Sequence, residues 1–213
     1  MSIRTRLFAA TYDRFMKSTE LGLAQHRATL LAAARGDVLE IGAGTGVNLG
    51  YYGDDVASLT LTEPDPAMLK RLQQHVDQSG RTATVLRAPA EDLPFDDERF
   101  DVVVSTLVLC GVDDQPRALR EARRVVRPGG HLLFMEHVRS DDPRLAHKQD
   151  RLNWFNRLVV LCNCNRPTLE TIRSAGFDPA DVVHAELPKS PAFVRPMVVG
   201  DALARAESLS SSG

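Results

Sequence analysis

Short β-branched runs alternate with longer stretches of helical periodicity through the middle of the chain. The runs at 37–41, 56–62, 82–87, 100–105 and 131–137 predict five strands. Val102-Val103-Val104 is continuously apolar, as a strand covered on both faces requires. Helices are predicted over 21–34, 66–78 and 115–126. In the last, Ala118, Leu119, Ala122, Val125 and Val126 fall on one face, and Arg127-Pro128-Gly129-Gly130 stops it. The rhythm changes after residue 138. Asp141-Asp142-Pro143 reads as a turn, and a long helical pattern runs through Leu145, Leu152, Phe155, Leu158, Val159 and Cys162. A helix over 168–175 ends at Gly176, and two more strands are expected at 181–185 and 193–199. Strand–helix alternation with short connectors implies an α/β fold with a doubly wound, seven-stranded, mostly parallel sheet. Residues 1–35 are expected as an N-terminal helical cap, 36–200 as the body and 201–213 as a tail, all in one structural domain. The segment between strands five and six is expected as a helical cover over the sheet's carboxyl edge.

Composition narrows the function classes. The 213 residues are 43% apolar, with 28 acidic against 26 basic side chains and a net charge of −2. Near neutrality argues against a nucleic-acid partner. No run is long enough to span a membrane, and the apolar part of the basic N-terminus is too short for a signal peptide. Three cysteines build no disulfide framework, so a cytoplasmic protein is expected.

The most informative stretch is Val38-Leu39-Glu40-Ile41-Gly42-Ala43-Gly44-Thr45-Gly46: a strand entering three glycines spaced by two, with a helix expected to follow. Such glycines permit a tight turn and a close backbone approach to a ligand. The dinucleotide fingerprint needs its third glycine one position later, where Val47 stands. Glu40 would repel a pyrophosphate. A ligand with an ammonium, a sulfonium and one carboxylate, S-adenosylmethionine (SAM), fits better; an ordinary tight turn is the plain alternative. Glu63, at the end of the second strand, is placed to accept from ribose hydroxyls, or simply to charge a helix N-terminus. Ala90-Glu91 follows the third strand, where a backbone N–H and a carboxylate can hold an adenine edge; an acidic loop is the alternative. Ser105-Thr106-Leu107 closes the fourth strand, which Asp101 opens, at the switch point where such sheets bind ligands.

These residues resemble the class I SAM-dependent methyltransferases over about 36–138. The resemblance implies that Glu40, Gly42, Gly44 and Gly46 surround the amino-acid end of SAM, together with Ala43, Thr45 and Asn48 of the same loop. Glu63, beside Pro64, corresponds to the ribose acid, Met68 to a residue packed on the adenosine, and Ala90 with Glu91 to the adenine contact. Pro89 stands where many relatives carry aspartate. Thr106, followed by Leu107, corresponds to the residue whose backbone lies near the SAM ammonium. A closer likeness joins Ser105-Thr-Leu-Val-Leu-Cys-Gly-Val112, Phe134-Met-Glu-His-Val138, Cys164-Asn-Arg-Pro-Thr-Leu-Glu170 and Phe193-Val-Arg-Pro196 to the methyltransferase-like seven group, which methylates alkyl thiols at membranes. That group's long hydrophobic N-terminal anchor has no match in this sequence.

The implied activity is methyl transfer from SAM to a small-molecule acceptor, a small or alkyl thiol first, leaving S-adenosylhomocysteine. An N- or O-methyltransferase of a phospholipid headgroup or quinone-like molecule is the alternative, and a non-catalytic SAM-binding protein is another. His137, at the end of the fifth strand, is the expected acid–base or orienting group, against a packed histidine. Tyr12, Cys110, Trp154 and Phe155 are expected with it in the acceptor pocket, against plain core packing. Cys162-Asn-Cys164 lacks the gap of a zinc knuckle, and no metal is expected. Arg4, Arg6 and Arg14 beside Leu7, Phe8 and Phe15 suit weak peripheral contact with an anionic membrane, or a solvated face.

Overall fold

The computed structural model of the chain describes residues 22–160 and 162–205. Its seven strands are β1 (Gly36–Ile41), β2 (Val56–Thr62), β3 (Thr84–Leu86), β4 (Phe100–Thr106), β5 (Val126–His137), β6 (Phe177–Glu186) and β7 (Pro196–Ala204). They lie in the order β3-β2-β1-β4-β5-β7-β6. The pairs among β1 to β5 are parallel, while β7 runs antiparallel to both β5 and β6. The doubly wound, mostly parallel sheet expected from the strand pattern is therefore present.

Side-chain alternation along the central strands makes two cores. Val38, Val102, Val104, Leu133 and Met135 point to one face and pack with Leu23 and Leu31 of helix α1 (residues 22–31) and Leu72 of α2 (Pro66–Ser79). Leu39, Ile41, Val103, Leu132 and Phe134 point to the other, against Leu119 and Ala122 of α3 (Gln115–Val125) and Ile172 of α5 (Thr168–Ser174). Each fully buried side chain of this size contributes roughly 1.5–3 kcal/mol. Helix starts follow local chemistry. Asp65 Oδ1 accepts from the backbone N–H groups of Ala67 and Met68 with Pro66 in the first turn, and Asp114 accepts from Arg117 N–H.

Several expected boundaries move. β3 is confined to three residues because it pairs only with Thr60–Thr62 at the sheet edge. β7 continues through Ala204, since its ladder with β5 reaches His131↔Leu203, so the expected tail boundary at 201 falls inside a strand. The glycine turn is followed by a single 3-10 turn, Leu49–Tyr51, and not by a full helix. Asn48 turns its side chain to Glu40, Gly50 and Gly53 disfavour helix, and the chain re-enters the sheet at Val56. Of the expected cap, residues 22–31 pack into the same core as the sheet. The expectations for Tyr12, the N-terminal basic face and the last eight residues lie outside the described residues.

Helix α4 (Pro143–Val160) supplies the cover between β5 and β6. Its inward face is largely polar: Ala146, Gln149 and Asn156 are buried. Trp154 and Phe155 are 68% and 48% exposed, their rings edge to face with each other. This corrects the expectation that they wall a pocket. The apolar residues of α4 are scattered around the helix, and its amides, not its rings, meet the body. Among the described residues no helix is long and apolar enough to cross a membrane.

Candidate functional site

The turn after β1 is built around three glycines at positive φ, Gly42, Gly44 and Gly46. Gly42 has φ +59°, and a Cβ there would lie 2.7 Å from the Val108 side chain. Gly44 has φ +60°, but a Cβ would meet nothing within 4 Å, so its open side faces space. The turn is tied to the next strand: Ala43 N–H donates to Thr62 O at 2.8 Å, and Gly44 N–H to Glu63 Oε2 at 3.0 Å. Gly42, Ala43, Gly44, Thr45, Asn48, Glu40, Thr106 and Leu107 line one cavity at the carboxyl ends of β1 and β4, joined by Arg27 and Val47. Gly46 backs this turn against Leu49 and Leu72.

A buried polar cluster forms the cavity floor. Glu40 accepts from Asn48 Nδ2 at 2.8 Å through Oε1 and from Tyr52 Oη at 2.6 Å through Oε2. Arg27, itself 3% exposed, donates to Asn48 Oδ1 at 2.6 Å and Thr106 Oγ1 at 3.2 Å, and Asn48 Nδ2 also reaches Thr106 Oγ1 at 3.0 Å. Burial pushes the Glu40 carboxyl up to about 7, against the hydrogen bonds of Tyr52 and Asn48 and the nearby Arg27 charge. A carboxyl held in this way gains from a cation placed beside it. Arg27 and Tyr52 were not singled out from sequence. The only signal for Arg27 was an arginine on the inward face of a predicted helix.

Glu63 is equally constrained. One oxygen accepts from Gly44 N–H and the other from Asp65 N–H at 2.9 Å, and burial raises its pKa against these two bonds. Met68 lies half-buried in the first turn of α2, Pro64 is exposed and Ala90 is buried. Glu91 points its Oε1 at the backbone N–H groups of Asp113 and Asp114, at 2.9 and 3.4 Å, so it braces the loop before α3. Asp101 lies at the opposite, amino end of the sheet, paired to Arg127 at 2.5 Å.

Beyond β4 the chain bends at Leu107, which has φ +60° and donates its N–H to Met135 O. Such backbone in a non-glycine residue persists only where its surroundings hold it. Glu136 does part of this: fully buried, it accepts from Ser105 Oγ at 2.7 Å, Val108 N–H at 3.0 Å and Cys110 N–H at 3.3 Å. Burial pushes its carboxyl up to about 8. The segment after α4 then folds back over the ends of β4 and β5. Asn163 N–H donates to Cys110 O at 2.8 Å, Arg166 donates to the carbonyls of Leu109 and Val112 at 2.7 Å, and Thr168 Oγ1 donates to His137 O at 3.1 Å.

This fold-back gathers Cys110, His137 and Cys162, whose side-chain donor atoms all lie within 4.8 Å of one another. Cys162 Sγ is 3.3 Å from His137 Nδ1, while His137 Nε2 is buried without a hydrogen-bond partner among the described residues. Cys164 Sγ is 3.7 Å from Cys162 Sγ and accepts from Asn156 Nδ2 at 2.9 Å. The neighbouring Cys162 thiol, and then His137, hold Cys110 well below the usual thiol range. Two expected acceptor-side residues, Cys110 and His137, are thus brought together; Trp154 and Phe155 are not. The convergence of Cys162 was invisible to spacing rules because its partners come from two strand ends far away in sequence.

Comparison with known proteins agrees with this geometry. A family profile described as a methyltransferase domain matches residues 39–134. The human thiol S-methyltransferase TMT1A is 33% identical over 178 residues, covering 78% of this chain and 70% of that one. A phosphatidylethanolamine N-methyltransferase of Cereibacter sphaeroides is 28% identical over 179 residues, covering 80% of this chain and 88% of its own. Among solved structures, a geranyl diphosphate methyltransferase in complex with SAM superposes with a TM-score of 0.68 at 16% identity, over 85% of this chain and 84% of that one. With the glycine turn, the strand-end acids and the sheet order already in place, the chain belongs to the class I SAM-dependent methyltransferases.

Proposed function

We propose that this methyltransferase acts on a small or alkyl thiol. The observation that carries the reading is the likeness to a thiol S-methyltransferase across 78% of the chain, which includes the cover as well as the cofactor half. The cavity at the ends of β1 and β4 suits the two charges of the amino-acid end of SAM. Glu40 faces the ammonium, and Arg27, a buried guanidinium with Asn48 and Thr106 as partners, faces the carboxylate. Gly44 leaves room for the ligand backbone. Glu63 is held by Gly44 and Asp65 so that its remaining lone pairs accept from the ribose hydroxyls. Met68 and Ala90 flank the adenosine.

When bound, SAM supplies an electrophilic methyl on a sulfonium. The chain's contribution is to hold the acceptor in line behind that methyl and to keep water out; positioning alone accounts for about 7–11 kcal/mol of such barriers. A thiol asks for little more, because a group with pKa about 8.5 is already a few per cent thiolate at neutral pH. Cys110 and His137 stand on the acceptor side, immediately beyond Leu107. His137 orients the acceptor with a ring nitrogen that has no other partner among the described residues. The near-neutral charge supports a small-molecule partner over a nucleic acid.

The resemblance to a phosphatidylethanolamine N-methyltransferase supports a lipid amine as the second reading. Methyl-labelled SAM offered with short and long alkyl thiols, phosphatidylethanolamine vesicles and a quinol separates the two. Label in the thioether, with equimolar S-adenosylhomocysteine, is the expected result. Label in the lipid alone, or in no acceptor, would overturn the thiol assignment.

A further inference from the structure

We propose that Cys110, His137 and Cys162 form a binding site for a single thiophilic divalent cation, with Zn²⁺ the ion their chemistry selects. The three residues come from three separate segments: the loop beyond β4, the end of β5, and the return after α4. All three are buried, and their donor atoms already lie within 4.8 Å of one another. Zinc–sulfur bonds of about 2.3 Å and zinc–nitrogen bonds of about 2.0–2.1 Å put tetrahedral ligand atoms about 3.5–3.8 Å apart. The Cys162 Sγ to His137 Nδ1 separation is 3.3 Å, so one edge of that polyhedron is nearly formed, and the others already lie within 4.8 Å.

The backbone of each of the three residues is held by hydrogen bonds. Cys110 has its N–H on Glu136 and its carbonyl on Asn163 N–H. The His137 carbonyl accepts from Thr168, and the Cys162 carbonyl accepts from Asn156 Nδ2 at 2.7 Å. The ligating nitrogen is His137 Nδ1, the one that faces Cys162, which leaves the buried Nε2, without a hydrogen-bond partner among the described residues, free to meet the acceptor. A divalent ion on two thiolates and a neutral imidazole is a charge-neutral unit, the kind a dry site tolerates. Two sulfurs with one imidazole favour zinc over magnesium or calcium, which take oxygen ligands.

Cys164 is turned toward Asn156 and stays outside the triangle, so the set has three protein ligands and one open position, the pattern of catalytic and not of closed structural zinc sites. Resting on the thiol reading above, the open position takes the acceptor sulfur: the S–H proton leaves to solvent as the sulfur–metal bond forms. The metal site itself does not depend on that reading.

The test uses the full-length chain, reduced, stripped of metal and shown to bind SAM, titrated with Co²⁺ without oxygen. One Co²⁺ per chain is expected, with intense tetrahedral visible bands and sulfur-to-cobalt charge transfer, all bleached by Zn²⁺. Cys110→Ser and Cys162→Ser should each remove one thiolate's share of the charge transfer, while Cys164→Ser leaves it. SAM-binding protein that takes up no Co²⁺, or shows only weak octahedral bands, overturns the site. Should the cysteine variants fail to fold, the wild-type chain decides: Zn²⁺ should shield Cys110 and Cys162 from alkylation, and equal labelling with and without Zn²⁺ contradicts the proposal. A loaded site whose cobalt spectrum ignores an added alkyl thiol would overturn the sulfur-binding role.

Discussion

Ile41 enters the Gly42–Gly46 turn from a strand buried on both faces, whereas α4 reaches the same edge of the sheet through side-chain amides. In the first region the backbone is fixed by hydrophobic neighbours and by N–H groups donated to Thr62 and Glu63. In the second, Gln149 bonds Ser140 N–H and the carbonyls of Val138 and Cys164, Asn156 bonds Cys162 O, and Asn153 bonds Asn163. Apolar packing in an alternating pattern sets the scaffold that fixes the glycine turn. Amide contacts hold the cover, whose return places Cys162 beside His137. On the reading proposed above, the first region serves the cofactor and the second the acceptor.

The largest expected effect tests the first region. Gly44→Asp puts a side chain into the open side of the turn at a positive φ, and should weaken SAM binding by about 100-fold or more, roughly 3 kcal/mol, measured by calorimetry. Affinity within a factor of two would mean that the open side is not where SAM lies. Next comes the cover. Gln149→Leu leaves two buried carbonyls and an N–H without partners, and should cost about 2–3 kcal/mol of stability in denaturant unfolding. SAM affinity of the folded fraction should not change; a parallel loss would show that the two regions are not separable.

A third effect is the most diagnostic of Glu40. The ligand-free native protein holds this proton up to about pH 7, whereas the ordinary value is 4.5. Between those values the native state binds more protons than the unfolded chain, so stability falls as pH rises through that window, by about 3 kcal/mol in total. Glu40→Gln should remove that slope and raise ligand-free stability at pH 8 by about 2 kcal/mol, while weakening SAM about tenfold or more. In the wild type, SAM affinity should fall as pH drops below about 7, since the ammonium binds the ionised carboxyl. A flat stability profile from pH 5 to 8 would sink the Glu40 assignment.

The same contrast explains what could be read in advance. The unbroken apolar run at Val102–Val104, the glycine spacing and the acids at 40 and 63 are local signals: the run is a central strand, and the glycines stand with both acids at the turn after β1. Arg27 was missed because its meaning depends on Asn48 and Thr106, which reach it only in the folded sheet. Trp154 and Phe155 misled because large rings suggest a pocket wall, yet α4 presents amides inward. Cys162-Asn-Cys164 lacks the gap of a zinc knuckle; the partners of Cys162 are a strand end and a loop, which no spacing rule connects. The turn after Gly46 was expected as a helix from fold logic, and Asn48, Gly50 and Gly53 overrode it.

The division between the regions is tested most directly by His137→Gln, with SAM affinity and the KM for an alkyl thiol measured side by side in methyl transfer. The expected result is SAM affinity within about twofold of wild type and a thiol KM raised at least tenfold, about 1.4 kcal/mol. Equal losses for SAM and thiol, or no change in either, would contradict the assignment of the β5 end to the acceptor.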